Sequence, residues 1–196
     1  MHPDTPMTST AATMNPVAAR CTAGLPNLPT VVALGPFNDR AHAEQLSAAF
    51  AKVRLCCDAQ LVLLGTGAYC ATVTQQTFAL GTGGSVRVTW DRAADRWPHL
   101  IAAGDVVVPC PAGGSITLLD VLGMGRPVVA SADPIAVRLV VPASAGLIYR
   151  SGDVAGMAGS LTRLLTNPDF CQEMGLRARQ VAQRHHQQRM ALQQNE

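Results

Sequence analysis

The sequence predicts an α/β fold in which a parallel β-sheet is covered by helices on both faces. Hydrophobic residues make up 48% of the 196 residues but aromatic residues only 4%, so aliphatic side chains must build the core. Short aliphatic runs alternate along the chain with amphipathic stretches, which is the pattern of strands connected by helices. Several of these runs end at glycine, where a chain can turn sharply. We therefore expect a three-layer, Rossmann-like domain with helices at its C-terminal end.

The first two strand–helix units follow one another closely. The apolar run Val31–Leu34 ends at Gly35, and residues 39–54 carry apolar side chains at helical spacing. The run Leu61–Leu64 also ends at glycine, and the stretch from 70 to 80 predicts a second helix.

The middle of the chain predicts two further strands and their helices. Residues 86–90 alternate between apolar and polar side chains, as a third strand would, and residues 95–102 form a short helical pattern. Residues 105–109 are a fourth strand. A helix is expected to begin at Ser115 and to end at Gly123.

The last third supplies two strands and two helices. The strands are expected at residues 128–130 and 146–149, and the helices at residues 153–165 and 169–188. Pro168 separates the two helices, because proline is tolerated in the first turn of a helix but not in its interior.

The composition divides the chain into three regions. Residues 1–28 are rich in Pro, Thr, Ala and Ser, and we predict a disordered N-terminal tail. Residues 29–190 form the Rossmann-like domain, and residues 191–196 are expected to fray. Met14 is an alternative to Met1 as the start of translation.

Composition and charge exclude several classes of protein. The net charge is +2 and only 14% of residues are charged, without a basic run that would favour nucleic acid as a partner. No apolar run is long enough to predict a transmembrane segment. The cysteines and histidines lack the spacing of metal ligands, so no metal is expected. The expected location is the cytoplasm. We expect the side chains of His42, His99, His185 and His186 to be solvated.

The strongest candidate site is the turn between the fourth strand and the helix that follows. Gly113 and Gly114 allow a ligand to approach the backbone, and Ser115 can cap the helix. The amides from Gly113 to Ile116 would then point outward from a helix N-terminus, an arrangement that attracts phosphate. The alternative is a tight turn that binds no ligand.

Five ordered segments give the second half of the chain a family likeness. They are Gly104–Pro109, Leu119–Ser131, Ala145–Tyr149, Asn167–Asp169 and Met174–Arg179. Upstream, Leu34–Phe37, Leu63–Gly67 and Val86–Trp90 add weaker matches in the same order. Together these segments resemble the C-terminal, nucleotide-sugar-binding domain of GT-B glycosyltransferases of the family 4, or group 1, type.

The resemblance implies roles for individual residues. Asp120 occupies the position of a glutamate that binds the nucleotide ribose in the family, although it is equally well read as a structural acid. Gly35 and Gly65 would lie beside the diphosphate, and Arg40 would supply charge there, unless it is a surface residue on a first helical turn.

Three positions depart from the family pattern. Ala112 replaces a glutamate that lies by the donor sugar, and Pro36 and Ala41 replace the arginine and lysine that grip the diphosphate. No catalytic residue is identified.

The resemblance implies a domain that binds a UDP- or GDP-sugar as its donor, without a further cofactor. Sugar transfer would require an acceptor domain from another chain, or a homo-oligomer. The alternative is a non-catalytic descendant that serves interaction or regulation, because three charged positions of the family have become neutral together.

Overall fold

The computed structural model of the chain describes residues 14–89, 97–111, 113–114 and 116–193. Within them, six strands form one sheet. The strands are β1 (Thr30–Leu34), β2 (Gln60–Leu64), β3 (Val86–Thr89), β4 (Val106–Val108), β5 (Val128–Ser131) and β6 (Gly146–Tyr149). Their order across the sheet is β3-β2-β1-β4-β5-β6, and every neighbouring pair is parallel. The predicted fold class is confirmed.

Helices connect successive strands and cover both faces of the sheet. They are α1 (Pro16–Thr22), α2 (Arg40–Cys56), α3 (Cys70–Ala79), α4 (Trp97–Ala103), α5 (Leu118–Gly123), α6 (Pro134–Val140), α7 (Val154–Leu165) and α8 (Pro168–Gln193). A short 3-10 turn, Gly83–Ser85, precedes β3. Since parallel strands require crossover connections, the sheet is buried on both sides.

The core consists of two apolar layers separated by the sheet. In β1, Val31 and Ala33 point into one layer and Val32 and Leu34 into the other, as the two-residue period of a strand requires. The first layer packs against α2, α3 and α7, and the second against α4, α5 and α6. Helix α8 contributes Met174 to the first layer and Ala178 and Val181 to the second.

The N-terminal region needs a correction. The sequence predicts disorder for residues 1–28, but residues 16–22 form helix α1, and Asn15 caps it by accepting a hydrogen bond from the Val17 amide. Arg20 on this helix is only 6% exposed. Its Nη1 donates to Asp105 Oδ2 at 2.9 Å, and that carboxylate also accepts from the Thr30 amide at 2.7 Å. This partly buried ion pair connects α1 to the residue that precedes β4; residues 1–13 lie outside the described residues.

Two helices differ from the prediction. Helix α6 is absent from the predicted set, although Asp133 followed by Pro134 is a typical helix start; its carboxylate accepts from the amides of Ile135 and Ala136. Helix α8 continues to Gln193, three residues into the segment expected to fray. Residues 194–196 lie outside the described part.

Candidate functional site

The loops that follow β1 and β2 meet at the carboxyl edge of the sheet. A Cβ atom placed on Gly65 would lie 3.1 Å from the Cα of Gly35, so the two glycines face each other. The Phe37 amide donates to the Thr66 carbonyl at 2.9 Å, and the Tyr69 amide donates to the Phe37 carbonyl at 2.9 Å. The structure brings Gly35 and Gly65 together, and this loop–loop contact explains why both residues are small.

The loop that follows β4 joins this group. A Cβ on Gly114 would lie 2.8 Å from the Gly35 carbonyl oxygen, so these two loops also touch. Gly113 has φ of +74°, and its amide closes a turn by donating to the Cys110 carbonyl at 3.1 Å. The loops of β1 and β4 lie at the point where the strand order reverses, which is where open parallel sheets bind ligands.

The helix after this turn begins later than the sequence predicts. Helix α5 starts at Leu118, and its N-cap is Thr117 rather than Ser115. Thr117 lies three residues before an acidic residue, and that spacing is the capping-box signal that identifies the start. Ser115 and Ala112 lie outside the described residues.

Asp120 completes the capping box. The Thr117 amide donates to Asp120 Oδ2 at 2.8 Å, the Thr117 hydroxyl donates to the same oxygen at 2.7 Å, and the Asp120 amide donates to Thr117 Oγ1 at 3.2 Å. Among the described residues, Asp120 Oδ1 has no hydrogen-bond partner. The structure thus gives the carboxylate a structural role and leaves one oxygen for a ligand.

Two of the four amides predicted to face a ligand have no internal acceptor. Within the described part of the chain, the amides of Gly114 and Ile116 donate no hydrogen bond, whereas the Gly113 amide is used by the turn. The Ile116 side chain packs against the second core layer, which fixes the backbone there. Such amides are the donors that bind phosphate oxygens at loop–helix junctions.

Arg40 begins helix α2, and its guanidinium binds Glu44. Arg40 Nε donates to Glu44 Oε1 at 2.7 Å, and the arginine side chain is 71% exposed. This contact raises the pKa of Arg40. Because the pair lies on the helix surface, the structure fits Arg40 as a surface residue better than Arg40 as a phosphate ligand.

Two polar contacts link β6 with α2 and the loop after β4 with the loop after β1. Tyr149 Oη is 3.5 Å from Nδ1 of His42, and Cys110 Sγ donates to the Pro36 carbonyl at 3.2 Å. His42 is only 6% exposed, so the expectation that it is solvated is wrong. Its position four residues before Leu46, and therefore on the core side of α2, is the sequence signal for burial.

The burial of His42 makes stability depend on pH. Burial lowers the pKa of His42 below its usual 6.5, and Asp39 opposes this effect weakly. Nε2 has no partner among the described residues. The unfolded chain therefore binds more protons than the folded chain as the pH falls through about 6.5. The stability that the neutral, buried imidazole of His42 allows above this pH is lost as the pH falls below it.

We expect the free energy of unfolding to fall between pH 7 and 5, with a contribution from His42 of at most about 1.4 kcal/mol per pH unit. Urea denaturation at a series of pH values measures this slope. His42→Gln should flatten the slope, whereas His186→Gln, at an exposed position of α8, should leave it unchanged. Equal slopes for the two variants would contradict the assignment.

The described part of the chain contains neither a metal-binding cluster nor a helix that could cross a membrane. No group of three or more His, Cys, Asp or Glu side chains there could hold a metal ion. None of its helices combines the length and the apolar character that crossing a membrane requires.

The sequence matches one protein family over most of its length. The model of the family described as glycosyl transferases group 1 matches residues 24–181. No curated protein matches the sequence significantly.

Solved structures share the fold at low sequence identity. Sucrose-phosphate synthase from Thermosynechococcus elongatus is 24% identical with a TM-score of 0.73, over 93% of this chain and 50% of that one. The Anabaena protein HepE, in complex with UDP and glucose, is 20% identical with a TM-score of 0.71, over 90% and 48%.

A third solved structure is a separate domain. The C-terminal domain of a glycosyl transferase group 1 protein (LpcC) from Francisella tularensis is 13% identical with a TM-score of 0.74, over 88% of this chain and 93% of that one. The present chain thus spans about half the length of the full-length structures and nearly all of the isolated C-terminal domain.

Proposed function

This chain belongs to the glycosyl transferases group 1 family, and we propose that it is a donor-binding domain for a nucleotide-diphospho-sugar. The observation that carries the proposal is the contact between the loops of β1 and β4 at the carboxyl edge. There, Gly35 and Gly114 touch, and the amides of Gly114 and Ile116 lack an acceptor among the described residues. A diphosphate supplies the oxygens that such amides bind.

Asp120 is the candidate ligand for the nucleotide ribose. Its Oδ2 holds the capping box, so ribose hydroxyls would donate to Oδ1. The capping box also fixes the carboxylate in one orientation before the ligand arrives, which reduces the entropy lost on binding. UDP and GDP are the nucleotides to test first, because HepE was solved with UDP, although that likeness shows only the fold.

Sugar transfer would need a second, acceptor-binding half. The chain corresponds to about half of the full-length structures it resembles, and no catalytic residue is assigned within it. We propose that this domain transfers sugar only together with an acceptor-binding half. No metal is assigned to the reaction.

A non-catalytic role is the second candidate, and the environment of Arg40 favours it. The cation best placed to replace the family's missing arginine and lysine is instead bound to Glu44 at 2.7 Å. A diphosphate held by amides alone would lack contacts with charged groups that contribute roughly 1.5–3 kcal/mol each. A chain of this kind would retain the fold and use its surface for interaction or regulation.

Calorimetric titration with UDP, GDP and their sugars distinguishes the two candidates. We expect binding of at least one nucleotide with a dissociation constant in the micromolar range, on the order of −8 kcal/mol. The absence of heat at millimolar concentrations of all of them would overturn the donor-binding proposal and leave the non-catalytic role.

A pair of variants separates ribose binding by Asp120 from its capping role. Asp120→Ala removes the carboxylate and with it one half of the capping box, whereas Thr117→Ala removes the capping hydroxyl and leaves the carboxylate. If Asp120 binds ribose, Asp120→Ala should weaken nucleotide binding by about 10- to 100-fold, the effect of a charged hydrogen bond. Thr117→Ala should change it by less than about threefold. Equal losses in both variants would show that the carboxylate acts only through the helix start.

A further inference from the structure

A second cavity lies at the amino edge of the sheet, opposite the candidate donor site. It has a volume of about 600 Å³ and is lined by Pro29, Asp105 and Arg126, which precede β1, β4 and β5. Helix α1 and the first half of α8 close its sides. Because all strands run parallel, this cavity and the loops around Gly35 and Gly114 lie at opposite ends of the strands.

The cavity has an excess of positive charge. Arg20, Arg126 and Arg179 line it, and Asp105 is the single carboxylate among the described lining residues. Asp105 is already engaged, since its Oδ2 accepts from Arg20 and from the Thr30 amide. Even without Arg179, the two positive charges of Arg20 and Arg126 exceed the single negative charge of Asp105 by one.

Arg126, like Arg20, is a buried cation of this group. The residue is 8% exposed, and Nη2 donates to the Met14 carbonyl at 2.8 Å. Nε has no acceptor among the described residues, and no described carboxylate lies within ion-pair distance of the guanidinium. Burial lowers the pKa of Arg126, although Asp105 opposes this. A buried cation without a paired anion is costly, and binding an anion reduces that cost.

The rest of the lining indicates the size of the ligand. Met124, Leu164, Leu165 and Leu176 provide apolar surface around the arginines. The volume lies within the range of about 300–1,000 Å³ that is typical of small-molecule sites. A free inorganic ion would leave most of this space empty.

We propose that the amino-edge cavity binds a small organic molecule through an oxyanion group, phosphate or carboxylate, held by Arg126. A guanidinium binds either group through two parallel hydrogen bonds. The site is independent of the donor-binding proposal, because it shares no residue with the carboxyl-edge loops.

Calorimetry with two probes tests the cavity and distinguishes the two oxyanions. The full chain is titrated with inorganic phosphate and, separately, with citrate, at an ionic strength held constant with chloride. We expect at least one probe to bind with a millimolar or lower dissociation constant. Phosphate alone would assign a phosphorylated ligand, and citrate alone a carboxylate ligand. No heat from either probe at tens of millimolar would overturn the proposal.

Three variants locate the bound anion. Arg126→Gln should weaken binding at least tenfold, and Arg126→Lys, which keeps the charge, should weaken it less. Arg177→Gln is the matched control, because Arg177 lies on α8 but pairs with Glu173 at an exposed position. Circular dichroism verifies folding, and the charge-retaining variant keeps the test decisive if the glutamine variant is unstable. Unchanged anion binding in Arg126→Gln would refute the assignment of the oxyanion to Arg126. This result would not affect the donor-binding proposal, which is tested by nucleotide binding at the carboxyl edge.

Discussion

Asp105→Asn is expected to lower the free energy of unfolding by about 2–4 kcal/mol, the range for breaking a buried ion pair after allowance for partial exposure. The substitution keeps the shape of the side chain but removes its charge. Arg20 would then be buried without a counter-ion, beside Arg126. The carboxylate is 25% exposed, which places the effect below the upper limit for fully buried pairs.

Urea denaturation with an unchanged m-value measures this loss. Glu173→Gln is the matched control, because its pair with Arg177 is exposed and should contribute less than about 0.5 kcal/mol. A loss for Asp105→Asn no larger than that of the control would show that Arg20 finds another partner or gains solvent. The attachment of α1 to the domain would then rest on packing and on other hydrogen bonds, such as that from Arg20 Nη1 to the Ala103 carbonyl at 3.0 Å.

Gly67→Ala should destabilise the fold by about 3 kcal/mol or more, through a clash between backbone segments. Gly67 has φ of +152°, and a Cβ there would lie 2.4 Å from the Phe37 nitrogen and 2.5 Å from its carbonyl oxygen. The loops of β1 and β2 would have to separate, which breaks their mutual hydrogen bonds.

Gly159→Ala is the opposite case and serves as the control. Gly159 lies inside α7, and a Cβ there would meet no atom within 4 Å. Alanine should therefore stabilise the protein by about 0.5–1 kcal/mol, because glycine is a poor helix former. Thermal or urea unfolding measures both variants. A Gly67→Ala protein as stable as the wild type would mean that the loops move apart freely.

The sequence was sufficient to predict the sheet because its signals are local. Runs such as Val31–Leu34 and Leu61–Leu64 are continuous and aliphatic, which is typical of strands covered on both faces. The predicted start of helix α5 is too early, because Ser115 and Thr117 are both good caps and only the three-residue spacing to Asp120 favours Thr117. That spacing was available in the sequence.

Other parts of the site could not be predicted, because they depend on contacts between distant residues. Arg20 and Asp105 are 85 positions apart, and His42 and Tyr149 are 107 apart. No local pattern pairs them. The role of Arg40 could not be predicted either. Its partner Glu44 lies only four residues later, but whether Arg40 binds Glu44 or a ligand depends on the geometry of the helix start.

The strand order also has a consequence for how the protein folds. Val31 of β1 pairs with Val106 of β4, so this central seam between β1 and β4 joins distant parts of the chain. The pairs β1–β2, β4–β5 and β5–β6 join residues that are closer in sequence. Contacts between distant residues carry the larger loop-closure cost and slow folding. The loops of β1 and β4 flank this seam, so the candidate donor site is assembled only when the two halves of the sheet have docked.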